Sequence, residues 1–221
     1  MILEAETLRT LRGAMWPRNV DEHIRSFTAC FARMRELDDL VSRRAPLTLT
    51  ESTWAFLGML GKLYKLLLGF AHEATQTNLV AMQVLARGLV ETFCSAAWVL
   101  EQPSRLVALV QTPGPKIGRL LNAGYRQYPA LQNLYESLSE FAHPHRSGHL
   151  LGFRSAEEVP VKGPMSPFAV SVPDSTFDGA ISSVLGVVIE AITIMEKIAV
   201  EHEPRLAEGR IMAIWCPGSK R

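Results

Sequence analysis

Arg87 and Glu91 are the only formally charged residues between positions 74 and 100 of this 221-residue chain. Four apart, they stand side by side on a helix, where a guanidinium and a carboxylate form an ion pair and the guanidinium keeps donors for a phosphate or carboxylate. At about 100° per residue, Val80, Val84, Cys94 and Trp98 share their sector, so the pair is expected in a largely water-free environment. A charge in such a place is expensive unless it is paired. Arg87 and Glu91 are therefore the first candidates for a buried polar centre.

The second concentration of chemistry is YESLSEFAHPHRSGH, residues 135–149. Leu131, Leu134, Leu138 and Phe141 define an apolar stripe, and Tyr135 and Ser139 flank it one turn apart. Two hydroxyls so placed can reach a neighbouring helix, and His143 lies near the same sector at the helix end. Tyr135, Ser139 and His143 are thus expected to face Arg87 and Glu91. Such a centre either fixes helix register through hydrogen bonds or holds a small anionic ligand.

Glu140 and His143 also form an E-x-x-H, the spacing used by carboxylate-bridged di-metal bundles, and His145 follows closely. The wheel turns Glu136, Glu140 and His143 away from the apolar stripe, whereas di-metal ligands point inward. A metal-dependent enzyme using Glu140, His143 and His145 is a lesser alternative, and no metal or other cofactor is expected. On the helix that follows Thr50, the residues Gly58, Gly61, Lys62, Lys65, Gly69 and His72 fall in one sector, expected as a solvated face more than as an anion site. No Gly-rich phosphate loop, G-x-S-x-G elbow or H-E-x-x-H occurs.

The pattern R-x-x-x-E (Arg87, Glu91) followed by Y-x-x-L-S-x-x-x-H-P (Tyr135, Leu138, Ser139, His143, Pro144) resembles helical bacterial proteins grouped as domains of unknown function, over about residues 50–145. These are similar to the HEPN class of helical bundles. The resemblance implies an all-helical fold and a homodimer, and for some members RNase activity in toxin or phage-defence systems. HEPN RNases carry R-x(4–6)-H, and Arg18 to His23 matches that spacing. A metal-independent RNase through Arg18 and His23, with RNA as partner, is the alternative; the plainer expectation is an exposed helix start capped by Asn19 or Asp21.

The elements that must position these residues read as helices. Apolar residues Ile24, Phe27, Phe31, Met34, Leu37 and Val41 predict an amphipathic helix over 19–44, preceded by a shorter one ending before Pro17. Thr50 is a helix cap for a stripe containing Trp54, Leu57, Leu60, Tyr64, Leu67 and Phe70; the Arg87 helix follows and stops near Pro103. Short helices are expected at about 104–111 and 116–127, then one from Pro129 to about Ala142. Residues 144–173 are rich in proline and glycine, with two β-like runs, and predict an irregular or β-hairpin insertion. A long helix capped by Asp174 or Ser175 completes the bundle, ending at Pro204.

The expectation is one all-α helical domain, with a core bundle over 19–142 and 174–203. Its 48% hydrophobic content suffices for a single core, and a net charge near +1 gives no global pull toward nucleic acid or membrane. Three separated cysteines without C-x-x-C spacing, and no signal-like apolar run at the N-terminus, predict a cytoplasmic protein. Lys62 and Lys65 interrupt one apolar stretch and Glu190, Glu196 and Lys197 another, so both read as core helices and no membrane partner is expected.

Overall fold

The computed structural model describes residues 2–13, 20–44, 50–76, 78–142 and 174–201. Among these the chain is an all-α helical bundle without a β-strand. Its helices are α1 (Ile2–Gly13), α2 (Val20–Arg44), α3 (Glu51–Thr75), α4 (Leu79–Glu101), α5 (Ile117–Gln127), α6 (Leu131–Ala142) and α7 (Asp174–Glu201), with a 3₁₀ helix at Pro103–Leu109 between α4 and α5. The insertion expected at 144–173 lies outside the described residues, as does everything beyond 201.

Local signals account for the helix ends. Thr50 caps α3, its Oγ1 accepting from Thr53 N–H at 3.1 Å. Asn78 caps α4 by accepting from Ala81 N–H at 3.3 Å, while its amide donates to Glu73 at 2.7 Å and ties the end of α3 to the start of α4. Pro103 lacks the amide hydrogen that would continue α4, and the chain tightens into the 3₁₀ helix.

α4 lies at the centre and packs against α3, α5, α6, α7 and the 3₁₀ helix. Its inner positions Leu89, Val90, Phe93, Cys94, Ala96, Ala97 and Val99 are buried, and the small residues among them allow close approach on several sides. α2 presents Ile24, Phe27, Phe31, Met34, Leu37 and Val41 to the core, all buried, at the three-and-four spacing of its sequence. α7 does the same with Phe177, Ile181, Leu185, Val188, Ile192 and Met195. Each large side chain so buried stabilises the fold by about 1.5–3 kcal/mol relative to exposure. Trp54, expected on the inner stripe of α3, is instead 49% exposed in the first turn, while Thr53 and Phe56 are buried.

Polar ties join the outer helices. Arg33 on α2 grips Glu196 on α7 through Nε (2.9 Å) and Nη2 (2.7 Å), and Nη2 also donates to Thr193 at 3.0 Å. Glu4 on α1 is buried and accepts from Arg35 on α2 with both oxygens and from Tyr64 on α3 at 3.0 Å, so one carboxylate joins three helices. α3 and α4 are also long and apolar enough, by length and composition, to cross a membrane; less than half of the apolar window of each is buried inside the bundle.

Candidate functional site

α4 and α6 meet through the centre that the sequence singles out. Arg87 Nε donates to Glu91 Oε1 at 3.2 Å, and Arg87 Nη2 donates to the Tyr135 hydroxyl at 3.1 Å. The Tyr135 hydroxyl donates in turn to the same Glu91 oxygen at 3.1 Å, closing a three-membered ring of hydrogen bonds. The guanidinium carbon also lies 5.2 Å from the centre of the Tyr135 ring, within cation–π range. Three residues on two helices thus share one charge-balanced cluster. Tyr135 can reach it because Leu131 and Leu138, three or four residues either side, are buried and fix the face that α6 turns to α4.

The cluster is not water-free. Arg87 and Glu91 each keep 26% of their side-chain surface exposed, and Val80 and Val84 are 54% and 52% exposed. The shared sector is real, but no described helix covers its N-terminal half, so only Cys94, further along α4, is fully buried there. Arg87 remains charged: burial works against the charge, yet the hydrogen bond from Arg87 to Tyr135 and the pairing with Glu91 outweigh it and hold the pKa above the ordinary value. Burial raises the Tyr135 pKa, and the adjacent Glu91 carboxylate adds to the rise against the pull of Arg87, so the hydroxyl stays a neutral donor.

Of the five residues expected in this centre, Arg87, Glu91 and Tyr135 come together. Ser139 does not join them: its Oγ is buried and has no hydrogen-bond partner among the described residues. Gln83 Oε1, one turn before Arg87 on α4, is likewise buried without a partner among the described residues, a feature with no signal in the sequence. His143 and His145 lie outside the described residues, as does the Glu140 side chain. Among the described residues no group of three or more His, Cys, Asp and Glu stands where it could hold a metal ion.

His23 is a correction of a different kind. The expected exposed helix start is not what its ring occupies: His23 is 4% exposed, and its Nε2 lies 2.8 Å from Asp178 Oδ1 on α7. Asp21 and Glu22 of the same turn are exposed as expected; His23 is turned to α7, whose position could not be read from the residues around it. Arg18 lies outside the described residues.

A further cluster, unseen in the sequence, closes the C-terminal end of α4. Glu101 receives Arg105 (2.9 Å) and both Nε and Nη2 of Arg126, and Arg105 stacks over the Trp98 ring at 5.0 Å while donating to the Trp98 carbonyl at 2.9 Å. Burial would raise the Glu101 pKa, but the two arginines more than offset it and hold the carboxyl below its ordinary value. The cluster ties α4, the 3₁₀ helix and α5 together, and each arginine keeps guanidinium nitrogens outside these bonds.

No family model, no curated protein and no solved structure matches this chain.

Proposed function

We propose that this protein is a non-enzymatic binding or interaction module whose α4–α6 centre receives a small anion at Arg87. One observation carries this reading. Arg87 commits Nε to Glu91 and Nη2 to Tyr135, and Nη1 is left with no partner among the described residues on a side chain that is about one quarter exposed. A guanidinium pre-oriented by two neighbours loses little freedom when it donates to a phosphate or carboxylate oxygen. Glu91 offsets the charge, so the ligand suited to this place is a monoanion or a singly charged edge of a larger molecule, bound with modest affinity.

Arg87, Glu91 and Tyr135 belong to the pattern by which the chain resembles HEPN-like helical bundles, and their meeting in one cluster supports placing it among such cytoplasmic proteins of bacterial type. The exposed Val80 and Val84 beside the cluster support a homodimer, because apolar side chains on one helix face gain from being covered. Burial of His23 against Asp178 leaves the RNase alternative with less support than the binding reading.

Calorimetric titration of inorganic phosphate and of acetate into the full chain tests the anion site, with sodium chloride matching the ionic strength. Saturable heat is expected from one or both, weakened at least about tenfold in Arg87→Gln. Equal heats in the two proteins would overturn the assignment.

A further inference from the structure

α2 and α3 leave a cavity of about 340 Å³, at the small end of ligand-binding pockets, which shares no lining residue with the Arg87 centre. Met34, Leu57 and Leu60 give it an apolar wall, and Asp38 and Lys65 bring one charge of each sign to its lining. Gly61 also lines it. A glycine inside a helix weakens the helix, and close packing is the usual compensation. That compensation is visible elsewhere: a Cβ on Gly88 would lie 3.1 Å from Leu66, and one on Gly69 would lie 3.5 Å from Leu85. At Gly61 a Cβ would meet nothing within 4 Å. Gly58, one turn earlier on α3, is equally uncrowded; at Gly61 the open space is part of the cavity.

The charges around the cavity are unequally committed. Arg35, also in the lining, is balanced by both oxygens of Glu4, although its Nε and Nη2 are not used in that pair. Asp38 and Lys65 belong to none of the ion pairs or hydrogen bonds of the described residues, and both are exposed. An apolar wall with one uncommitted cation and one uncommitted anion suits a ligand that carries both charges on a hydrophobic body. A fatty acid would leave Asp38 facing its carboxylate, and an alkylamine would leave Lys65 facing its ammonium.

We propose that this cavity binds a free α-amino acid with an apolar side chain. Its ammonium pairs with Asp38, its carboxylate with Lys65 and the spare donors of Arg35, and its side chain lies on Met34, Leu57 and Leu60 in the space that Gly61 leaves. The site is separate from the Arg87 centre and does not depend on it.

The test is calorimetry on the full chain with L-leucine, 4-methylpentanoate, which lacks the ammonium, and 3-methylbutylamine, which lacks the carboxylate. Leucine is expected to bind saturably in the micromolar to low millimolar range, and each analogue at least about tenfold more weakly. Gly61→Leu, which fills the open space from within, is expected to keep the helical circular dichroism and melting temperature of the parent while abolishing leucine binding. Lys65→Ala and Asp38→Ala, at exposed positions, each weaken it about tenfold. Either analogue matching leucine, undiminished binding in a folded Gly61→Leu, or no heat from leucine, methionine or phenylalanine at about 10 mM would overturn the proposal.

Discussion

Arg87 is held three ways at once: by Glu91, by the Tyr135 hydroxyl and by the face of the Tyr135 ring. Removing it leaves a carboxylate that is about one quarter exposed and still has the tyrosine hydroxyl, so the loss is smaller than the several kcal/mol a fully buried, orphaned charge would bring. Arg87→Ala is expected to destabilise the fold by about 1–3 kcal/mol, a drop of about 2–4 °C in melting temperature per kcal/mol for a chain of this size. Tyr135→Phe keeps the ring and loses two hydrogen bonds, for about 1–1.5 kcal/mol. A double-mutant cycle of Tyr135→Phe with Glu91→Gln in urea unfolding should give a coupling of about 0.5 kcal/mol or more, and strict additivity would show that the ring of hydrogen bonds does not act as a unit. At this scale the sequence was legible where helix geometry suffices. Arg87 and Glu91 meet because they are four apart, and Tyr135 faces them because its own stripe is buried. The exposure of Val80 and Val84 was not legible, because a wheel shows which residues share a sector and not whether a neighbour covers it. The His23–Asp178 pair spans 155 positions, and nothing near either residue in the chain points to the other.

Between elements, the tightest constraint is the crossing of α5 over α4. A Cβ on Gly124 would run into Cys94 Sγ and lie 3.3 Å from Cys94 Cα, so the backbone itself would have to move. Gly124→Ala is therefore expected to cost about 1–3 kcal/mol through overpacking, despite the better helix propensity of alanine. Gly88→Ala is the control: there the nearest atoms are the flexible end of Leu66, and its gain in propensity offsets a small shift. Thermal melts of the two variants should separate clearly, and an equally stable Gly124→Ala would mean that the helices are further apart than described. The helices themselves were readable from Thr50, Pro103 and the apolar spacings of α2 and α7. That Pro103–Leu109 tightens to 3₁₀ was not, since both helix types share the same local signals. The role of Gly124 was also hidden, because it depends on Cys94, thirty positions away on another helix.

For the whole molecule, burial sets the response to alkali. Desolvation pushes the Cys30 thiol up from 9.0 to about 11, against a small opposing pull from Arg33, and pushes Cys94 up to about 12 with help from Glu91. Between about pH 9 and pH 11 the unfolded chain gives up thiol protons that the folded chain keeps, so stability must fall as pH rises through that window. Tyr64, Tyr125 and Tyr135, each raised above 10.0 chiefly by burial, add a loss of the same sign at the upper end. Urea midpoints should decline from pH 8 to pH 10.5, less steeply in Cys94→Ala, and at pH 7.5 a thiol reagent should label Cys30 and Cys94 only on unfolding. A midpoint constant up to pH 10.5 would contradict the buried, protonated state of these groups. Arginine side-chain NMR reads directly whether the bundle presents a clamped guanidinium with one nitrogen open to an anion. The Arg87 guanidinium should show separate, slowly exchanging Nη signals, with Nη1 shifting saturably as inorganic phosphate is added and with the separation lost in Tyr135→Phe. A single averaged Nη signal that neither phosphate nor Tyr135→Phe alters would contradict that arrangement.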